Sequence, residues 1–336
     1  MENRNMKQKR EKKIKKTKEE KKRERELNNS IKQTNAKTRK ELGIWGYQTD
    51  DRVYFMGNNK YMKVYKILEI PTQKDKEEQM ITVLAECADG RIRITGLSGH
   101  PSSFFLTVNF EGNKYVEIHD KVKRFEKMLE KETEEISEFR IEGCEIDQVL
   151  LNIADNFGKA DLQFDLNDAA KKKESWKEVF FSKINSAEKG IFTLESNNAE
   201  GSCLLAEEYP AKIKEKIQLD NQKNKIFYAL DFQAMNEADT ELLNFMIRQK
   251  YNVSEKMLSE QKSINFTYMV CILSDTEEMR KTICRSSIDL FKKQGVLLNL
   301  AENHEREICE SILSFGLKDF KAMRNVNVEI VGQFLS

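Results

Sequence analysis

The side chains in this sequence best spaced to do chemistry together are cations. Lys9, Arg10, Lys12, Lys13, Lys15, Lys16, Lys18, Lys21, Lys22, Arg23 and Arg25 set eleven positive charges against Glu11, Glu19, Glu20 and Glu24, a net of +7 over residues 9–25. Such a strip attracts anionic surfaces. Each Lys or Arg beside an anionic leaflet contributes roughly 1 kcal/mol, and contacts to nucleic-acid phosphates give an attraction that falls steeply with salt. Ile14 is the only strongly apolar residue between Lys7 and Glu26. The strip therefore cannot insert into a bilayer, and it should hold a surface electrostatically and release it in high salt. The same composition also suits a tail that only solubilises. Lipid contact, nucleic-acid contact and tail all stay open.

Elsewhere the search for chemistry finds little. No GxxxxGK[ST] phosphate loop is present; Asn156-Phe157-Gly158-Lys159-Ala160 lacks the leading Gly and the hydroxyl that would hold Mg²⁺. Ile226–Asp231 looks like an apolar strand ending in a metal-binding Asp, but without that loop Asp231 reads as a solvated or capping carboxylate. Gly96-Leu97-Ser98-Gly99 has the wrong spacing for a dinucleotide fingerprint. His100, His119 and His304 lie too far apart for a local ligand set; His119 falls on the apolar face of a helix and reads as a packed core residue. The six cysteines, at 87, 144, 203, 271, 284 and 309, form no CxxC pair and read as reduced, buried thiols. Tyr61 and Tyr65 alternate with Lys60, Lys63 and Lys66, the pattern of a sheet with one wet face. No catalytic residue, cofactor-binding residue or metal ligand set is expected, and hence no enzyme.

These residues must be positioned by a body of unusual charge content. Charged residues are 34% of the 336, against ~25% on average. Residues 1–43 hold 17 Lys/Arg and seven Asp/Glu, a net of +10; the rest hold 40 and 49, a net of −9. A basic arm thus precedes a mildly acidic body. No apolar run approaches the ~20 residues that span a bilayer, and no apolar segment follows the basic start as in a secretory signal.

The expected fold class is α+β: two sheet-and-helix units behind an arm (1–41) that forms a frayed helix or stays disordered without core contacts. The first unit, 44–165, should hold strands at Val53–Met56, Lys60–Leu68, Met80–Ala85, Arg91–Thr95 and Phe104–Phe110. Helices follow, one carrying Val116 through Ile136 and another over Ile146–Asp155. A polar connector (166–200) should hold a helix near Trp176–Phe181 and a strand at Ile191–Leu194. The second unit, 201–334, alternates: strand Ser202–Glu207, a short helix opened by Tyr209-Pro210, strand Lys225–Gln233, and a helix from Ala238 to about Glu260. Strand Ile264–Leu273 comes next, then a helix Glu277–Lys293 capped by Ser274 or Asp275 and ended by Gly295. Strand Val296–Leu300 and helix Glu302–Phe315 close it. This order suits a ferredoxin-like layer or a short parallel sheet.

From residue 201 onward the order of strings resembles a known family. Glu207-Glu208-Tyr209-Pro210, the apolar strand Lys225–Gln233, a charged helix and Phe266–Leu273 come first. Gly295-Val296-Leu297-Leu298-Asn299-Leu300 and Ile312-Leu313-Ser314-Phe315-Gly316 follow. This looks like the N-terminal, non-motor region of the TraE/TraC-like assembly ATPases of type IV secretion and conjugation systems; Asp51–Met56 and Lys60–Ile67 resemble that family's opening strands. The Pro usual before the glycine at Gly316 is missing. The sequence stops at Gly332-Gln333-Phe334-Leu335-Ser336, about where the family's motor would start. The resemblance implies the docking half of such a machine: a stand-alone subunit, a split gene product or a truncated form. It implies a non-catalytic, cytoplasmic protein, peripheral at the inner face of the cell membrane. Its partners would be inner-membrane conjugation proteins and a motor ATPase supplied in trans, with no cofactor of its own. The alternative is a nucleic-acid-associated protein using its basic arm.

Overall fold

The computed structural model describes residues 17–36, 39, 42–88, 90–98, 100–136, 138–149, 184–188, 191–194, 199–219, 225–251, 263–302, 304–312 and 323–335. The fold is α+β. The strands are β1 (Lys32–Gln33), β2 (Gly46–Gln48), β3 (Val53–Gly57), β4 (Lys60–Glu69), β5 (Ile92–Leu97), β6 (His100–Glu111) and β7 (Arg140–Cys144), then β8 (Ile184–Glu188), β9 (Ile191–Leu194), β10 (Ala199–Glu208), β11 (Lys225–Ala234), β12 (Ser263–Ser274), β13 (Leu297–Leu300) and β14 (Arg324–Asn327). The helices are α1 (Lys18–Asn29), α2 (Lys74–Cys87), α3 (Tyr115–Glu135), α4 (Glu237–Tyr251), α5 (Glu277–Lys293), α6 (Glu305–Ile312) and α7 (Val328–Gly332).

All strands join one sheet in the order β1-β2-β3-β4-β6-β5-β11-β12-β10-β9-β8, with β7 on β4, β13 on β10 and β14 on β12. Every pairing among the described residues is antiparallel, so the parallel alternative for the second half does not hold. Within the second half β11, β12, β10 and β13 lie side by side. That is the strand order of a ferredoxin-like layer, with α4 inserted where that fold has a hairpin. The two halves are not separate sheets: β5 pairs with β11 from Ile92↔Phe232 to Leu97↔Phe227.

Alternation along the strands gives the sheet two buried faces. On β4, Tyr61, Tyr65 and Ile67 face α2 and α3, while Met62 and Val64 join the opposite core with Ile44, Ile146 and Val149. α2, α3, α5 and α7 pack the first face; α6 packs the second through Ile308, Cys309 and Ile312. Phe334 plugs the first core, its ring 4.7 Å from Tyr268 and 5.3 Å from Phe266. Burying such a side chain stabilises by about 1.5–3 kcal/mol. Gly96 permits a close approach, because a Cβ there would stand 2.4 Å from the Phe104 ring. The β3–β4 turn needs left-handed backbone, supplied by Gly57 (φ +82°), Asn58 (+49°) and Asn59 (+60°).

Several expectations fail for identifiable reasons. Met80–Ala85 is helical, not extended: Glu77, Met80, Ile81 and Leu84 are buried at helical spacing, and the charged Lys74–Glu78 run is the first turn of α2. After Tyr209-Pro210 the chain runs without helix to Leu219, and the Tyr209 hydroxyl instead accepts the Tyr268 backbone N–H at 3.0 Å. α5 begins and ends as expected, but its cap is Thr276, whose hydroxyl accepts the Met279 N–H; Gly295 follows with φ +80°. β14 and α7 have no counterpart in the sequence reading. The helix at Ile146 is described only to Val149, and the Trp176–Phe181 patch lies outside the described residues. No described helix is long and apolar enough to cross a membrane.

Candidate functional site

The arm is not detached. Residues 18–29 form a regular helix whose Thr17 cap is reciprocated by Glu20: the Glu20 N–H donates to Thr17 Oγ1 (3.1 Å) and the Thr17 N–H to Glu20 Oε2 (2.6 Å). One side of α1 is tied to the body. Lys114 Nζ reaches Glu24 Oε1 at 2.6 Å, the Val116 N–H reaches Asn28 Oδ1 at 3.4 Å, and Leu27 and Ile31 pack against the core. β1 then pairs with β2, and the buried Thr34 hydroxyl donates to the Ile44 carbonyl. The expectation of an arm without core contacts is corrected. Leu27 and Ile31, just beyond the charged run, give α1 an apolar anchor.

Of the eleven cations, Lys9, Arg10, Lys12, Lys13, Lys15 and Lys16 lie outside the described residues. Lys18, Lys21, Lys22, Arg23 and Arg25 are exposed on α1. With ~3.6 residues per turn, Lys18 and Lys22 point away from the anchored side marked by Glu24, Leu27 and Asn28, as do Glu19 and Glu26, and Lys22 Nζ stands 3.8 Å from Glu26 Oε1. The near-balanced helix (five cations, four glutamates) is therefore mixed in charge on its exposed face.

A second polar constellation lies inside the sheet. Thr107, Arg93, Asp231 and Thr267 stand directly opposite one another on β6, β5, β11 and β12, and all four are fully buried. Arg93 grips Asp231 with two hydrogen bonds, Nε to Oδ1 at 2.6 Å and Nη2 to Oδ2 at 2.7 Å. Arg91 Nη1 stands 3.9 Å from Oδ2. Asp231 is therefore neither solvated nor a cap: it is the buried counter-ion at the junction of the two halves. Arg93 Nη1 and both threonine hydroxyls have no hydrogen-bond partner.

Among the described residues the histidines join no metal-ligating group. His119 is half-buried rather than in the core. Its Nδ1 meets Asp51 Oδ2 at 2.7 Å, and the same oxygen accepts the Tyr115 hydroxyl at 2.7 Å. Burial would raise the Asp51 carboxyl, but these hydrogen bonds and the charges of His119 and Lys123 hold it below its ordinary range. This is a clasp between the β2–β3 turn and α3. His304 is exposed at the start of α6.

Three of the six cysteines converge, although the sequence sets them 68 and 38 residues apart. Cys203 and Cys271 face each other across β10 and β12, and Cys309 descends from α6. The three sulfurs lie within 4.8 Å of one another. No spacing motif could have shown this, because a sheet register and a helix docking bring the thiols together. Finally, a cleft of about 760 Å³ opens between the end of β4 and the 216–218 segment, lined by Leu68, Ile70, Pro71, Phe104, Lys216 and Leu335 among others. Lys216 and Glu138 on its wall are engaged by Glu77 and Lys76. No known protein-family model matches the chain, and no curated protein sequence matches it.

Proposed function

We propose that this chain is a non-catalytic docking subunit that sits on an anionic membrane surface through its N-terminal arm. The observation that carries the reading is the anchoring of α1: the helix is tied to the body through Glu24, Leu27 and Asn28 and carries Lys18, Lys21, Lys22, Arg23 and Arg25 exposed. A solubilising tail has no need of such an anchor. Anchoring also lowers the ordering cost of binding, because the helix is already held. The sequence resemblance extends this to the inner face of a cell membrane. There the α+β body would meet inner-membrane conjugation proteins, and a separate motor ATPase would act in trans.

The test uses the full chain and liposomes rich in anionic lipid at low ionic strength. Neutralising Lys18, Lys21, Lys22 and Arg25 to Gln should reduce retention at least fivefold, given roughly 1 kcal/mol per cation. Neutralising Lys292 and Lys293, exposed at the end of α5, should not. Equal retention of both variants would sink the membrane reading. Purified protein that hydrolysed ATP unaided would sink the non-catalytic one. Arm-dependent binding to generic duplex DNA that outlasts lipid binding as salt rises would favour nucleic acid as the arm's target.

A further inference from the structure

We propose that Cys203, Cys271 and Cys309 form a buried three-thiolate site for one thiophilic cation, Zn(II) or Cu(I). The geometry carries the inference. With metal–sulfur bonds of ~2.3 Å, three sulfurs around one ion stand ~3.8 Å apart in a tetrahedral arrangement and ~4.0 Å apart in a trigonal one. Here Cys203 and Cys309 Sγ are 3.8 Å apart, and all three sulfurs lie within 4.8 Å. Binding requires the most distant pair to close by less than 1 Å.

The three ligands come from three separate elements. Two strands fix Cys203 and Cys271 as direct cross-strand partners, and α6 brings Cys309 over them, locked by Ile308 and Ile312 in the same core. Both strands have further partners, β11 beyond Cys271 and β9 and β13 beside β10, so the frame is rigid. All three side chains are at most 3% exposed. The surroundings are dry, with Leu205, Phe227, Met269 and Ala301 in the same cluster, and soft thiolates in such a shell select soft cations over Mg²⁺ or Ca²⁺. The carbonyl oxygen of Glu305 lies 3.6 Å from Cys203 Sγ.

Burial, together with hydrogen bonds to Cys271 and Cys309, pushes the Cys203 thiol well above its ordinary range. Without a cation this thiol is therefore protonated. Loading replaces three S–H bonds by three metal–sulfur bonds and releases three protons to solvent, with no change in oxidation state. Affinity accordingly rises with pH, by up to a thousandfold per pH unit while all three protons compete.

The experiment is titration of the full, reduced chain with Cd(II), a spectroscopic stand-in for Zn(II), and separately with Cu(I) under anaerobic conditions. One equivalent should produce sulfur-to-metal charge-transfer absorption. Cys271→Ser and Cys309→Ser should lose it, whereas Cys87→Ser and Cys144→Ser should keep it. Saturation with Cd(II) alone, with Cu(I) alone or with both assigns the cation class. Because a core serine can unfold the chain, X-ray absorption on the metal-loaded wild-type protein provides an independent readout, and it should find three sulfur neighbours per ion. No charge-transfer band, a band that survives both serine variants, or a first shell dominated by nitrogen or oxygen would overturn the proposal.

Discussion

Removing the Asp231 carboxylate should be the most damaging single polar change in the sheet, and the structure dictates an order among three variants. In Asp231→Leu, Arg93 stays fully buried and loses the carboxylate that grips it, and Arg91, whose side chain is only 10% exposed, loses the carboxylate 3.9 Å away. Breaking a buried pair from one side costs about 3–5 kcal/mol, and the full burial of Arg93 puts this variant at the upper end. In Arg93→Met, Asp231 keeps Arg91 at 3.9 Å, which can close to a hydrogen bond, so the cost should fall nearer ~3 kcal/mol. The double variant removes both charges and the orphaned Nη1. Apolar replacement of a whole buried pair is often neutral, so the double variant should cost less than ~2 kcal/mol, far below the sum of the singles. Urea unfolding of each full-length variant, followed by far-UV circular dichroism, gives the cycle directly. The reasoning fails if the double variant costs as much as the two singles combined, or if Arg93→Met proves worse than Asp231→Leu. Because the pair bridges β5 and β11, the wild type should also unfold in one transition; a split transition would mean the halves do not depend on this seam.

Thr107→Val and Thr267→Val remove buried hydroxyls that have no partner, so each should raise stability by ~0.5–1 kcal/mol in the same assay. Deleting residues 1–41 removes β1, the Thr34 bond and the packing of Leu27 and Ile31. It should lower stability by ~1–3 kcal/mol, and an unchanged urea midpoint would contradict the docked arm. Asp51 titrates below its unfolded value, so its contribution is fully present above about pH 3.9 and is lost as pH falls through the lower folded value. Asp51→Asn should therefore be less stable at neutral pH but lose less stability between pH 4 and pH 2, as read by thermal unfolding across that range.

The sequence made the local elements readable where caps and periodicity agreed. Glu277–Lys293 is bounded by Thr276 and Gly295, and its buried Ile283, Cys284, Ser287 and Phe291 fall on one helical face. It misled where an apolar, β-branched run had a charged preamble: Met80–Ala85, expected as a strand, continues the helix that Lys74–Glu78 opens. What the sequence could not show was pairing across long separations. Asp231 acquires its meaning from Arg93, 138 residues earlier, and neither residue's neighbours announce the other. The thiol cluster fails to appear for the same reason. In the arm, the charge count was legible but its anchoring was not, because Leu27 and Ile31 hold α1 to the core from just outside the cationic run.

The seam between β5 and β11 also governs how the chain comes into being. β5 is complete once residue 97 has been synthesised, yet the strand that covers its open edge ends at Ala234. At ~5–20 residues per second, the nascent chain waits roughly 7–27 seconds with that edge unpaired. Arg93 sits there without its carboxylate, and a charge on an open strand edge discourages pairing with a foreign strand. The residue that locks the finished sheet thus serves as its own gatekeeper during translation. A ribosome pause between residues 100 and 225 would lengthen the exposure and raise the demand for chaperones.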